Sequence, residues 1–140
     1  NPFVPKPFTP FQWAAFAGKK YLDTAFKILR GELKNLRGVE MISESVRSAE
    51  VQAILARGDK KLSAVVMQSE NSQEFRRNFK AAGLDEEFYL RTRNFDEPLP
   101  WDFLNQGFGK KYLRDEFNRA AEFKSTSPCF DGCKRCGVCT

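Results

Sequence analysis

The chain is expected to be mainly α-helical, α+β at most to the extent of one small sheet, with a Cys-rich carboxy-terminal tail. Three observations predict this. Apolar residues recur at three- and four-residue intervals in several separate stretches. Those stretches are bounded by residues that start and stop helices, and strict alternation, the signature of a half-buried strand, shows only once and weakly. At 140 residues the chain can form one domain with a real core and is too short for two of ordinary size. Fourteen phenylalanines supply that core with large apolar surfaces.

Residues 1–16 form the first unit. Residues 1–13 carry four prolines, which remove amide donors and bias their predecessors to extended geometry, so this stretch is expected to be non-helical. Phe3, Val4, Phe8, Phe11 and Trp13 make it sticky, and it should lie across an apolar surface. Residues 17–124 form the helical unit. From Tyr21 to Leu36, Leu22, Ala25, Phe26, Leu29, Leu33 and Leu36 follow helical spacing, with Gly31 inside the run and Gly38 ending it. Val39 to Val46 then alternates as a weak strand. Ser48 reads as the next helix start, and Val51, Ile54, Leu55, Leu62, Val65 and Val66 line one face beyond it. Arg57-Gly58-Asp59 interrupts that face as a bend or a tight packing point. An adhesion role for this triplet has nothing behind it but the three letters.

Asn71, with Glu74 three residues on, starts another helix through Phe75, Phe79 and Ala82, which Gly83 ends. Asp85 to Leu90 is a short helical piece and residues 94–100 a linker, after which Leu99-Pro100-Trp101-Asp102 anchors the chain again. The last helix, about Lys110 to Phe123, presents Tyr112, Leu113, Phe117, Ala120 and Ala121. Ser125-Thr126-Ser127-Pro128 ends it and opens the third unit, residues 125–140.

That tail holds every cysteine of the chain: Cys129, Cys133, Cys136 and Cys139, spaced C-x3-C-x2-C-x2-C. Disulfide scaffolds scatter cysteines to staple distant loops, and bridging so short a loop would remove little chain entropy. Four soft ligands this close point to one metal centre, with these four residues as its ligands. Zinc and a cubane iron–sulfur cluster both accept four thiolates. Zinc ribbons separate two knuckles by a dozen or more residues, whereas only Lys134 and Arg135 separate the two pairs here. That is tight for an ion whose sulfurs sit about 2.3 Å from one centre. A four-iron cluster is wider and favoured on that ground, with zinc the alternative. Gly132 and Gly137 give the backbone freedom to wrap it, and Lys134 and Arg135 offset thiolate charge.

The first three cysteines alone match the spacing of the catalytic cluster in radical S-adenosylmethionine enzymes. Those enzymes leave one iron without a cysteine, and a barrel follows their motif. Here Cys139 would fill the vacant corner and only four residues follow Cys136, so an auxiliary or structural site is expected. Three further stretches resemble one family. Residues 3–13 (Phe3-Val4-Pro5-Lys6-Pro7-Phe8-Thr9-Pro10-Phe11-Gln12-Trp13) resemble the segment leaving the last barrel strand of cobalamin-binding-type radical S-adenosylmethionine proteins. Residues 55–62, Leu55 to Leu62, resemble a block just after that barrel. Leu99-Pro100-Trp101-Asp102, the helix after it and Cys136-Gly137-Val138-Cys139 resemble the end of the same proteins, a family of iron–sulfur oxidoreductases. The order and spacing of these blocks agree over nearly the whole chain. The chain departs from the family at Phe8 and Phe103, where relatives carry His, and over Met67 to Phe75, where they carry a stretch rich in Gly, Asp and Trp.

The resemblance implies a parent enzyme in which reductive cleavage of S-adenosylmethionine yields a carbon radical that abstracts hydrogen from a substrate. This chain would be its accessory carboxy-terminal region, capping the barrel core of its own parent chain and carrying a second metal centre. S-adenosylmethionine, the catalytic cysteines and any cobalamin would belong to the part before Asn1. The start at Asn1-Pro2, in mid-course and without Met, agrees with a piece of something longer.

The net charge of +5 is moderate and mixed in sign. A nucleic-acid module, stapled by zinc and binding RNA, is the second reading. It would use Arg76, Arg77, Lys80, Arg91, Arg93, Lys110, Lys111, Arg114 and Arg119, although such charges more often form solvated helix faces. The chain has no His, no nucleophile elbow and no phosphate loop, which leaves hydrolase chemistry unsupported. Nothing singles out the carboxylates Glu86, Glu87 and Asp102. No stretch reaches the roughly 20 apolar residues of a membrane span and no signal-peptide pattern is visible, so a cytoplasmic protein is expected.

Overall fold

A computed structural model describes residues 1–138. Among these the chain forms six α-helices, two short 3-10 turns and no strand, so the expectation of a mainly helical fold holds. The helices are α1 (Lys19–Leu33), α2 (Val46–Ala56), α3 (Ser63–Met67), α4 (Ser72–Ala81), α5 (Glu86–Leu90) and α6 (Lys110–Ala121). The 3-10 turns are Pro10–Trp13 and Lys60–Leu62. No helix of the described residues is long and apolar enough to cross a membrane.

Three local expectations are corrected. The weak strand over 39–46 does not form: residues 39–45 are irregular, and Val46 opens α2. Its alternation had no partner strand to pair with, and a lone strand leaves its amides and carbonyls unbonded. The start of α2 lies at Ser45, whose side chain accepts from the Ser48 amide at 3.0 Å. Ser48 is the receiver of the cap, three residues inside it. The proline-rich start is also not wholly extended, because Pro10 begins the 3-10 turn. Proline is tolerated in a first turn, where its missing N–H has no intrahelical partner anyway.

Helix α2 is the centre of the packing. One side of it, Val51 and Ile54, joins Leu62, Val65, Phe75, Phe79 and Tyr89 in a first apolar cluster. Its other side, Val46, Ala49 and Ala53, joins Phe16, Leu22 and Phe26 in a second. Buried on two sides, α2 leaves only Arg47, Gln52 and Leu55 exposed. Its one carboxylate there, Glu50, is buried and takes the Arg76 guanidinium of α4 at 2.5 Å. Leu55 and Val66, expected on the buried face, are exposed. The turn at residues 57–62 breaks the helical phase, so positions before and after it do not share one stripe. Leu29 and Leu36 of the first predicted helix are exposed as well, and α1 ends at Leu33.

A third cluster sits where α6 packs on the Pro10–Trp13 turn: Trp13, Leu99, Trp101 and Leu113, with Phe8, Phe95, Phe108 and Tyr112 against them. Trp13 and Phe16 belong to different clusters, so the amino-terminal segment is part of the core and lies across it as expected. Each large side chain buried here contributes on the order of 1.5–3 kcal/mol.

A polar knot ties the clusters together. Arg57, fully buried, donates to the Ala14 carbonyl at 2.7 Å and the Arg91 carbonyl at 2.8 Å. Arg93, also buried, donates to the Arg57 carbonyl at 2.9 Å, and its own amide donates to the Trp13 carbonyl at 2.9 Å. Gln12 accepts from the Trp101 indole at 2.8 Å and the Phe8 amide at 3.1 Å.

Candidate functional site

The cysteine tail is positioned by the end of α6. That helix finishes in a six-to-one and five-to-two pair of backbone bonds, Lys124 N–H to Arg119 and Phe123 N–H to Ala120, with Phe123 at φ +56°. This reversal sends the chain back along α6. Arg119 then holds the Ser125 carbonyl at 2.7 Å, and the Thr126 hydroxyl donates to Glu116. Farther on, Val138 returns to the loop before α6: a methyl added at Gly107 would stand 3.7 Å from its Cγ2. The tail is folded onto its helix.

Within it, Arg135 organises the cysteines. Its guanidinium donates to the Ser127 carbonyl at 2.7 Å, the Pro128 carbonyl at 3.1 Å and, through Nε, the Cys133 Sγ at 3.4 Å. A turn closed by Cys133 N–H to the Phe130 carbonyl at 3.0 Å, with Gly132 at φ +81°, places Cys133 in the buried interior of the loop. Gly132 is required there because a left-handed φ is costly for any residue with a Cβ. The Cys133 thiol is held below its ordinary pKa, first by the Arg135 backbone N–H, then by the Arg135 guanidinium, and less by the Cys129 side chain, while burial opposes. Hydrogen bonds to the thiolate favour the charged form, which is the form that binds metals.

Of the four predicted ligands, the structure therefore brings Cys129 and Cys133 together. Cys136 is partly exposed and lies within electrostatic range of Tyr112 on α6, whose phenol is raised first by burial, then by Glu116 and Cys136. Cys139 lies outside the described residues. Among the described residues no disulfide joins the cysteines, and no three Cys, His, Asp or Glu side chains converge as a metal site. The donor chemistry fits a thiolate-bound ion or cluster: soft ligands, one of them acidified, with two cations in the loop.

Seven of the nine residues of the nucleic-acid reading are engaged or buried within the chain. Arg76 pairs with Glu50, Arg91 with Glu97, Lys110 with Asp102 and Lys111 with Asp115. Arg93 is buried, Arg119 holds the tail, and Arg114 lies over the Phe95 ring. Asp102 accepts from the Leu99 amide at 2.8 Å, and Glu86 and Glu87 stand in the first turn of α5. Asp102 thus serves the local turn and Glu86 and Glu87 the start of α5. Sequence reasoning placed Arg57 at a packing point and Arg93 on a basic surface; it missed that they are buried as a pair, because 36 residues separate them.

Comparison with known proteins finds no family, no curated protein and no solved structure that matches this chain.

Proposed function

We propose that this chain is the carboxy-terminal accessory region of a radical S-adenosylmethionine iron–sulfur oxidoreductase, working in the cytoplasm, whose tail binds an auxiliary metal centre. The observation that carries the metal assignment is the contact of the Cys129 and Cys133 side chains beside Arg135, which acidifies Cys133. Cys129, Cys133, Cys136 and Cys139 would hold a four-iron cluster, with zinc the alternative. When bound, a cluster supplies a one-electron relay or a point for substrate to attach; zinc would fasten the tail. The chain's own part is to keep Cys133 as thiolate, to spread the negative charge of the sulfurs onto Arg135 and Lys134, and to fix the loop on α6 through Thr126 and Glu116.

Support for the parent enzyme comes from the three sequence blocks that carry the resemblance. Residues far apart in those blocks meet in space: Arg57 reaches the Ala14 carbonyl just past the first block, and Trp101 of the last block reaches Gln12 of the first. A barrel core, S-adenosylmethionine and cobalamin belong to the preceding part of the parent chain in this reading.

Reconstitution with iron and sulfide under strict anaerobiosis tests the tail. Protein carrying a cluster absorbs broadly near about 400 nm and holds about four irons per chain. Cys133→Ser should remove most of that absorbance while leaving far-ultraviolet circular dichroism unchanged. A colourless protein holding about one zinc per chain would reject the cluster and keep the metal site. Protein that retains neither metal rejects both.

A further inference from the structure

A groove of about 720 Å³ opens on the side of the molecule formed by the Gly58–Lys61 turn and the 97–100 segment. Its volume falls in the range of small-molecule sites, roughly 300–1,000 Å³. Phe88 and Phe103 stand in its wall, 41 % and 81 % exposed, and Lys60, Lys61 and the buried Arg93 line it as well.

The charges around this groove do not balance. Lys60, Lys61 and Arg93 line it, with Arg57 and Arg91 close to Arg93, and these five cations meet three carboxylates, Asp59, Glu97 and, at Arg91, Glu87. Asp59 Oδ1 accepts from the Lys61 amide at 3.0 Å and from the Tyr89 hydroxyl at 3.2 Å. Glu97 gives both oxygens to Arg91, at 2.8 and 2.9 Å. Among the described residues Arg57 has only backbone carbonyls as acceptors. The Nε groups of Arg57 and Arg93 are buried there with no acceptor. Burial first, then the fields of Arg93 and Arg91, lower the Arg57 pKa to about 10, so at neutral pH it is still charged and still opposed by its neighbours. Lys61 sits over the Phe88 ring at 5.7 Å. A cluster with more cations than carboxylates, beside an aromatic-walled groove, is a place where an anion relieves repulsion between the arginines.

We propose that this groove binds a small organic phosphate carrying a flat ring, the phosphate at Lys60 and Lys61 with Arg93 behind them, the ring against Phe103. The exposed Phe103 ring offers a flat face on which a ring can stack. Two ammonium groups supply mobile donors suited to a compact dianion. The site is separate from the cysteine tail, so it stands or falls without the metal.

Phenyl phosphate is the reagent of choice, titrated into the metal-free full chain by isothermal calorimetry and followed by amide shifts at Gly58, Lys61 and the Trp101 indole. Saturable binding is expected, weakened about ten-fold by Lys60→Ala/Lys61→Ala and about three-fold by Phe103→Ala. Both sets of side chains are exposed, and circular dichroism confirms that the variants fold. Inorganic phosphate should bind more weakly and ignore Phe103→Ala. The proposal is overturned if phenyl phosphate shows no saturable binding, or if its affinity is unchanged in the double lysine variant. Benzoate binding more tightly than phenyl phosphate would overturn the phosphate assignment.

Discussion

Gln12 is a single amide on which two donors depend, and both come from residues distant in the chain or held in an awkward backbone. Its Oε1 takes the Trp101 indole N–H and the Phe8 amide, and Phe8 sits at φ +58°. Burial of the Phe8 ring against the third cluster offsets that strain. Gln12→Leu keeps the volume and removes the acceptor, leaving the indole N–H unpaired beside a Trp13 N–H that is already so. Leaving a buried donor unpaired costs about 1–3 kcal/mol. The urea midpoint should fall by an amount equivalent to about 2 kcal/mol with the slope unchanged. A loss below about 0.5 kcal/mol would show that water replaces the amide oxygen.

Helices α4 and α6 end in the same backbone motif with different residues in the left-handed position. In α4 it is Gly83, φ +65°, with Gly83 N–H on Lys80 and Leu84 N–H on Phe79. Leu84 packs onto the cluster that contains Phe79, the apolar contact that usually accompanies such a cap. In α6 the position is Phe123, fully exposed, so its ring recovers nothing for the strained φ. A Cβ at Gly83 would meet no atom within 4 Å, so Gly83→Ala isolates the backbone cost. Thermal melts should show Gly83→Ala destabilised and Phe123→Gly stabilised, each by about 1 kcal/mol. If Phe123→Gly is neutral, the left-handed turn is not held in solution.

At this scale the sequence was readable where signals are local. Asn71 caps α4 by accepting from the Gln73 and Glu74 amides at 3.0 Å, as its spacing to Glu74 suggested. Gly58 is a packing point because an added methyl would overlap Leu62 Cδ1. The choice of Ser45 over Ser48 was not readable, since both are good caps and only the fold of residues 39–45 decides between them. Nor was the role of Gln12, whose partner lies 89 residues away. The same contrast holds for the sites. Four cysteines in one tail announce themselves, whereas the groove is assembled from residues 58–61, 88, 93, 97–100 and 103, which no single window contains.

For the molecule as a whole, Arg57 is expected to couple the three apolar clusters in unfolding. Its guanidinium joins the carbonyls of Ala14, next to the third cluster, and Arg91, next to α5 and the first. The chain's two tryptophans, Trp13 and Trp101, both lie in the third cluster. Helices α2, α4 and α5 meet around the other clusters. Tryptophan fluorescence thus reports one part of the core, and far-ultraviolet circular dichroism mainly the rest. In the native chain both signals should change at one urea concentration, as a single cooperative transition requires. Arg57→Met fills similar space without the fork that bridges the segments. It also removes a buried cation that burial and two neighbouring arginines disfavour, so total stability moves by less than a broken ion pair would cost, about 3–5 kcal/mol. The expected signature is loss of coincidence, with the fluorescence transition moving to lower urea than the circular dichroism transition. Coincident curves in Arg57→Met, wherever their midpoint falls, would mean that Leu90, which packs against both the first and second clusters, and the Arg93–Trp13 backbone bond are enough to keep the core a single unit.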